Sequence, residues 1–134
     1  MNIVKVTDSS DYVRMFEYLS DVKETDMPDL GKFIMVCKMG RVYRVTDTNG
    51  NIIGGLVMYE TKDRVFVAFM HIDNNYRKSR ASVQLYLQIV RYAQDKKKKA
   101  YTTMDDISQV KSFFTESGMI GDDILYEIDL GRIS

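Results

Sequence analysis

The chain has 134 residues, which gives room for one domain and one core burying roughly two-thirds of the unfolded surface. Lysine plus arginine balances aspartate plus glutamate at 19 each, so the net field offers no steering toward DNA or RNA, and a nucleic-acid role would need a local basic patch. One cysteine, Cys37, excludes an internal disulfide and suits a reducing compartment, and no apolar run approaches the roughly 18 to 20 residues that span a bilayer.

The first residues lack the long apolar stretch and small-residue cleavage site of a signal peptide, so a cytoplasmic location is expected. No internal repeat, linker or low-complexity segment divides the chain, and residues 1–134 read as a single domain. Residues 2–6 alternate as a short first strand. Asp8 or Ser9 then offers a helix N-cap, with Asp11 in the favourable first turn and Tyr12, Phe16 and Leu19 on one face beside Met15. A second helix is predicted over residues 28–39. Pro28 suits its first position, Leu30, Phe33, Ile34 and Cys37 form an i, i+3, i+4, i+7 stripe, and Gly40 suits the stop.

The period then changes. Residues 41–46 alternate as a strand, Asp47-Thr48-Asn49-Gly50 is a hairpin turn, and residues 52–60 return. Thr61-Lys62-Asp63 leads into a third strand over residues 64–73. A long helix follows over about 80–95, its stripe of Val83, Leu87 and Val90 widened by Leu85, Ile89 and Ala93, as expected for a helix lying on a sheet. Residues 100–104 read as a strand. Asp105 or Asp106 can cap a short helix that carries Val110, Phe113 and Phe114 and stops at Gly118, and residues 124–130 close the chain as a strand. The predicted order is β-α-α-β-β-β-α-β-α-β, an α/β protein with a mixed sheet and helices on its faces.

Two segments sharpen that reading. Ile72-Asp73-Asn74-Asn75-Tyr76-Arg77-Lys78-Ser79-Arg80-Ala81-Ser82 resembles the stretch of the GCN5-related N-acetyltransferases in which a strand ends and a loop opens the long helix. Phe113-Phe114-Thr115-Glu116-Ser117-Gly118-Met119 resembles a second segment of that family, at about the right spacing. The resemblance implies the acyl-CoA N-acyltransferase fold and acetyl-CoA as acyl donor. It implies a pyrophosphate held by Arg77, Lys78, Ser79, Arg80, Ala81 and Ser82, where helix N-terminal amides and dipole favour an anion. It also implies that the preceding strand splays from its neighbour, so that backbone near Met70 and Ile72 binds the pantetheine arm. The chain departs from the family pattern at Arg80, where a glycine is usual, at Phe114, where many relatives place a tyrosine, at Ile107, where they often have asparagine, and at Asn74, where proline is usual.

His71, the only histidine, falls at the strand end near the implied thioester and is a candidate base, its ordinary pKa lying near 6.5. Asp73 is a weaker candidate that would more simply cap the loop. Tyr126 on the last strand could supply the missing hydroxyl. Lys96 to Lys99 read as a solvated helix end, where positive charge is favoured, and Cys37 reads as core. No Cys/His cluster suggests zinc, and no phosphate loop of the Gly-x-x-x-x-Gly-Lys type is present. The expected function is transfer of an acyl group, acetyl first, from coenzyme A to a primary amine on a small molecule or on a protein lysine or N-terminus. The alternatives are a protein that keeps the fold as an interaction module, and a virus-encoded modifier of nucleic acid or a host protein. A homodimer is compatible with either class; nucleic acid and membrane are not expected partners.

Overall fold

The computed structural model describes residues 2–22, 27–76, 80–103 and 114–128. Strand β1 (Asn2–Val6) is followed by helix α1 (Ser9–Asp21), which opens on Asp8: its carboxylate accepts the Ser10 N–H at 3.2 Å. Tyr12, Met15 and Leu19 form its buried face. Helix α2 (Leu30–Met39) starts two residues later than Pro28 predicts. Asp29 is the N-cap, its carboxylate taking the Lys32 N–H at 2.9 Å. A capping acceptor outweighs the proline's preset φ, and the proline stands before the cap.

Strands β2 (Gly40–Thr46), β3 (Ile52–Glu60) and β4 (Val65–Ile72) form the expected antiparallel run. A short 3-10 turn (Asn74–Tyr76) leads toward α3 (Arg80–Lys96), and β5 (Ala100–Thr102) lies parallel to β4, with α3 as the crossover that a parallel pair requires. Residues 114–118, assigned from sequence to the end of a helix, belong to strand β6 (Phe114–Ile120), which pairs antiparallel with β7 (Asp123–Ile128). Gly118 does not stop a helix; it follows a bulge at Ser117, and Gly121 opens the two-residue turn at φ 57°, where glycine is favoured. The helix expected from Asp105 or Asp106 through Val110 and Phe113, Ile107 within it, and the strand end at Leu130 lie outside the described residues.

The sheet runs β1-β2-β3-β4-β5-β7-β6, antiparallel throughout except at β4–β5. One face carries α3: Leu85, Tyr86, Ile89 and Ala93 pack on Val45, Leu56, Val65 and Ala100. The other carries α1 and α2, with Met15, Leu19, Phe33 and Cys37 over Val42 and Val57. The lysine run ends α3 as a tied cap. Lys97 takes a left-handed φ of 56°, and the Lys98 N–H reaches the Ala93 carbonyl at 3.0 Å. The Lys98 ammonium lies 2.9 Å from Glu60 and donates to the Thr61 carbonyl at 2.7 Å, and Lys99 meets Glu127 at 3.4 Å. With Lys96 3.9 Å from Glu60, three of these four lysines tie the helix end to β3 and β7. Among the described residues, no helix is long and apolar enough to cross a membrane.

Candidate active site

The site begins where two strands part. Among the described residues, β4 and β5 pair only from Val65↔Ala100 to Val67↔Thr102, while β4 continues to Ile72. The last rung is reinforced by a side chain: the buried Thr102 hydroxyl donates to the Val67 carbonyl at 3.0 Å. At the same height β4 bulges. Val57 faces Phe69 and Met58 faces Val67, so Ala68 has no opposite number on β3. A bulge bends its strand and re-aims the side chains beyond it.

The consequence is a change of parity. Val65 and Val67 face α3, and beyond the extra residue it is Met70 and Ile72 that continue that core, while Ala68 and Phe69 pack toward α1 and α2. His71 follows Phe69 onto the α1 side. It is 6% exposed, with its ring 5.9 Å from that of Tyr18 on α1. Its Nε2 lies 3.6 Å from Asp73 Oδ1, and the Tyr18 hydroxyl donates to the same oxygen at 2.6 Å. Gly55 stands opposite His71 on β3, and a Cβ there would run into the Met15 methyl of α1, so the bare glycine lets α1 lie close over the histidine.

Met70 and Ile72 are buried in the α3 core, which leaves their backbone as what they can offer a ligand. Arg80 is exposed at the first position of α3, whereas Ala81 and Ser82 are buried beneath it. Of these three, only Arg80 presents a side chain to a solvent-borne anion. A hollow of about 230 Å³ lies beside it, lined by Ile3, Arg80, Ala81 and Gln84. Arg77, Lys78 and Ser79 lie outside the described residues.

The two sequence-predicted catalytic residues are not on one side of the sheet. Tyr126 pairs with Thr102, and alternation with Ile128 puts it on the α3 face, half-buried, where His71 is on the other. Asp73 does more than the loop cap expected of it: its carbonyl accepts the Tyr76 N–H at 2.8 Å, while its carboxylate serves Tyr18 and His71. Sequence reasoning missed Tyr18, which lies 55 residues from Asp73 and carries no local signal. Cys37 is buried, and burial pushes its thiol up to about 12, which leaves it without a nucleophile's thiolate at neutral pH.

No family model and no curated protein sequence matches this chain. Its backbone does match solved structures. A GNAT-family acetyltransferase from Staphylococcus aureus Mu50 has a TM-score of 0.72 at 15% identity, covering 96% of this chain and 98% of that one. Naa20 of Chaetomium thermophilum, in complex with a bisubstrate analogue, has 0.71 at 13% identity, covering 99% and 90%. The PaiA N-acetyltransferase from Thermoplasma acidophilum, in complex with coenzyme A, has 0.66 at 10% identity, covering 96% and 99%. The chain has the fold of these acetyltransferases, over nearly its whole length and theirs.

Proposed function

We propose that this chain is an acyl-CoA-dependent N-acyltransferase, acetyl being the expected group, that acts on a primary amine by direct transfer. The observation that carries the reading is the stretch of β4 beyond Val67, bulged at Ala68 and running past the end of β5. A strand edge presents N–H and C=O groups at regular spacing and suits an amide-bearing extended chain. Pantetheine is such a chain. At the far end of the same gap, the first turn of α3 and the Arg80 guanidinium favour an anion, as a pyrophosphate requires, with Arg77, Lys78 and Ser79 assigned to the same role from the sequence. The coenzyme A complex of PaiA and the bisubstrate complex of Naa20 support the choice of donor.

When bound, the thioester supplies an activated acyl carbonyl. The acceptor nitrogen must meet it without its third proton, and His71, facing the α1–α2 side from which the acceptor would enter, takes that proton at a ring nitrogen. The amine lone pair then forms the C–N bond, the C–S bond breaks and thiolate leaves. Tyr126, across from Thr102 at the mouth of the gap, gives the thiolate its proton and recovers one from solvent, to which the new amide sheds its own second proton. Holding the two reactants together supplies a large part of the rate independently of these groups.

A thiol-release assay with acetyl-CoA over a panel of primary amines and peptides tests the reading. Amine-dependent thiol release, lowered ~10²–10⁴-fold in His71→Gln, is the expected result. A chain that releases thiol with no acceptor in the panel contradicts it. A second reading, a protein that keeps the fold for partner binding, draws on β6: this strand ends the sheet, Met119 is 60% exposed on it, and Phe114 at its start has no hydroxyl. Its expected sign is a stable protein complex, with itself or another chain, and no binding of coenzyme A.

A further inference from the structure

We infer that Asp73 and Tyr18 are positioning residues for His71, a coupled pair that orients the imidazole and stabilises its protonated form; this rests on the reading of His71 as the base. The three groups come from two elements that the fold brings together. His71 and Asp73 stand two residues apart at the end of β4, and Tyr18 comes from the last turn of α1.

The geometry separates the roles. Tyr18 donates to Asp73 Oδ1 at 2.6 Å, a length typical of a hydroxyl on a carboxylate, and this fixes which way the carboxylate points. The main chain of Asp73 is held on both sides: its N–H donates to the Ile53 carbonyl at 2.8 Å and its carbonyl accepts from Tyr76 at 2.8 Å. The same Oδ1 is 3.6 Å from His71 Nε2. That is too long for a direct hydrogen bond and well within the range of charge stabilisation. The carboxylate therefore favours an imidazolium. The Asp73 side chain is 40% exposed and that of His71 only 8%, so the carboxylate is the more water-accessible of the pair. A proton taken up by a buried base needs such an exit. Among the described residues, Tyr18 from α1 and Asp73 from the strand end both face His71, and Gly55, its partner on β3, brings no charge.

Because the chain has one histidine, NMR titration of the imidazole C–H reports His71 with no assignment problem. The midpoint is expected to fall by about one pH unit in Asp73→Asn. Tyr18→Phe should move it in the same direction in the wild-type background and leave it unmoved in the Asp73→Asn background, since Tyr18 acts through Asp73. The acid limb of the kcat/KM profile should follow the NMR midpoint in each variant. A midpoint that ignores both substitutions overturns the pair, whatever the activity. An acid limb that persists in His71→Gln removes the base reading instead, and the titration then still decides whether Asp73 and Tyr18 are coupled to the imidazole. Far-UV circular dichroism establishes that each variant is folded, and Tyr18→Phe keeps the ring in place if Asp73→Asn fails to fold.

Discussion

Thr102 and Val67 form the last rung between β4 and β5 among the described residues, the Thr102 hydroxyl bonded to the Val67 carbonyl at 3.0 Å and the β4 bulge at the next residue. A buried hydroxyl on a strand carbonyl ties down the end of the pairing where the gap opens. Thr102→Val keeps the shape and removes the donor, so we expect a loss of about 1–2 kcal/mol in urea denaturation, with Thr102→Ser closer to wild type. Equal stability of the valine variant would show that this rung is not held by the hydroxyl.

Gly40 joins α2 to β2, and its value lies in space. A Cβ there would strike the Met58 carbonyl oxygen and come within 2.6 Å of Tyr59 Cα, backbone atoms that cannot rotate away. Gly40→Ala should cost about 3 kcal/mol, read as a lowered Tm, because β2 and β3 must move apart at this end to admit one methyl. The sequence makes Gly40 a helix stop; its φ of −144° lies outside the left-handed region, and close approach is what demands glycine.

Lys97 is a non-glycine residue in the left-handed region at the end of α3. Lys97→Gly relieves the Cβ and leaves the Lys98 and Lys99 ion pairs in place, so it should raise stability by up to about 1 kcal/mol. A loss of stability in thermal denaturation would mean that the lysine contributes more than its conformation costs.

Alkaline pH should weaken the fold. Burial raises the Cys37 thiol to about 12 and also raises Tyr12 and Tyr92, so the folded chain keeps protons that the unfolded chain releases above about pH 8.5. These groups leave stability intact below that pH and subtract from it as pH rises toward 12, with a slope of up to ~1.4 kcal/mol per pH unit for the thiol alone. Urea midpoints between pH 8 and 11 measure it. Cys37→Ala should flatten the first part of that decline, and native Cys37 should resist iodoacetamide at pH 8.

The elements legible in the sequence are those whose pattern has one cause. Strands β2 and β3 alternate around Asp47-Thr48-Asn49-Gly50, and α3 carries a wide apolar stripe; both appear where expected. Residues 65–72 are apolar on both faces, so no alternation marks the extra residue at Ala68, and the side to which His71 turns is hidden with it. At residues 114–118, a glycine that ends a helix and one that follows a strand bulge look alike; the Gly121-Asp122 pair, between Ile120 and Asp123, is the available hairpin signal. The placement of His71 at a strand end was readable. Its company was not, because Tyr18 reaches it only through tertiary packing over Gly55.

The central claim is that the gap beside β4 and the start of α3 bind a coenzyme A thioester, and isothermal titration of the purified chain with acetyl-CoA tests it most directly. The account predicts one site with a micromolar Kd, weakened about tenfold or more in Arg80→Ala, the scale of one charged hydrogen bond. Absence of heat at millimolar acetyl-CoA would contradict it and leave a chain with the acetyltransferase backbone and another use for it.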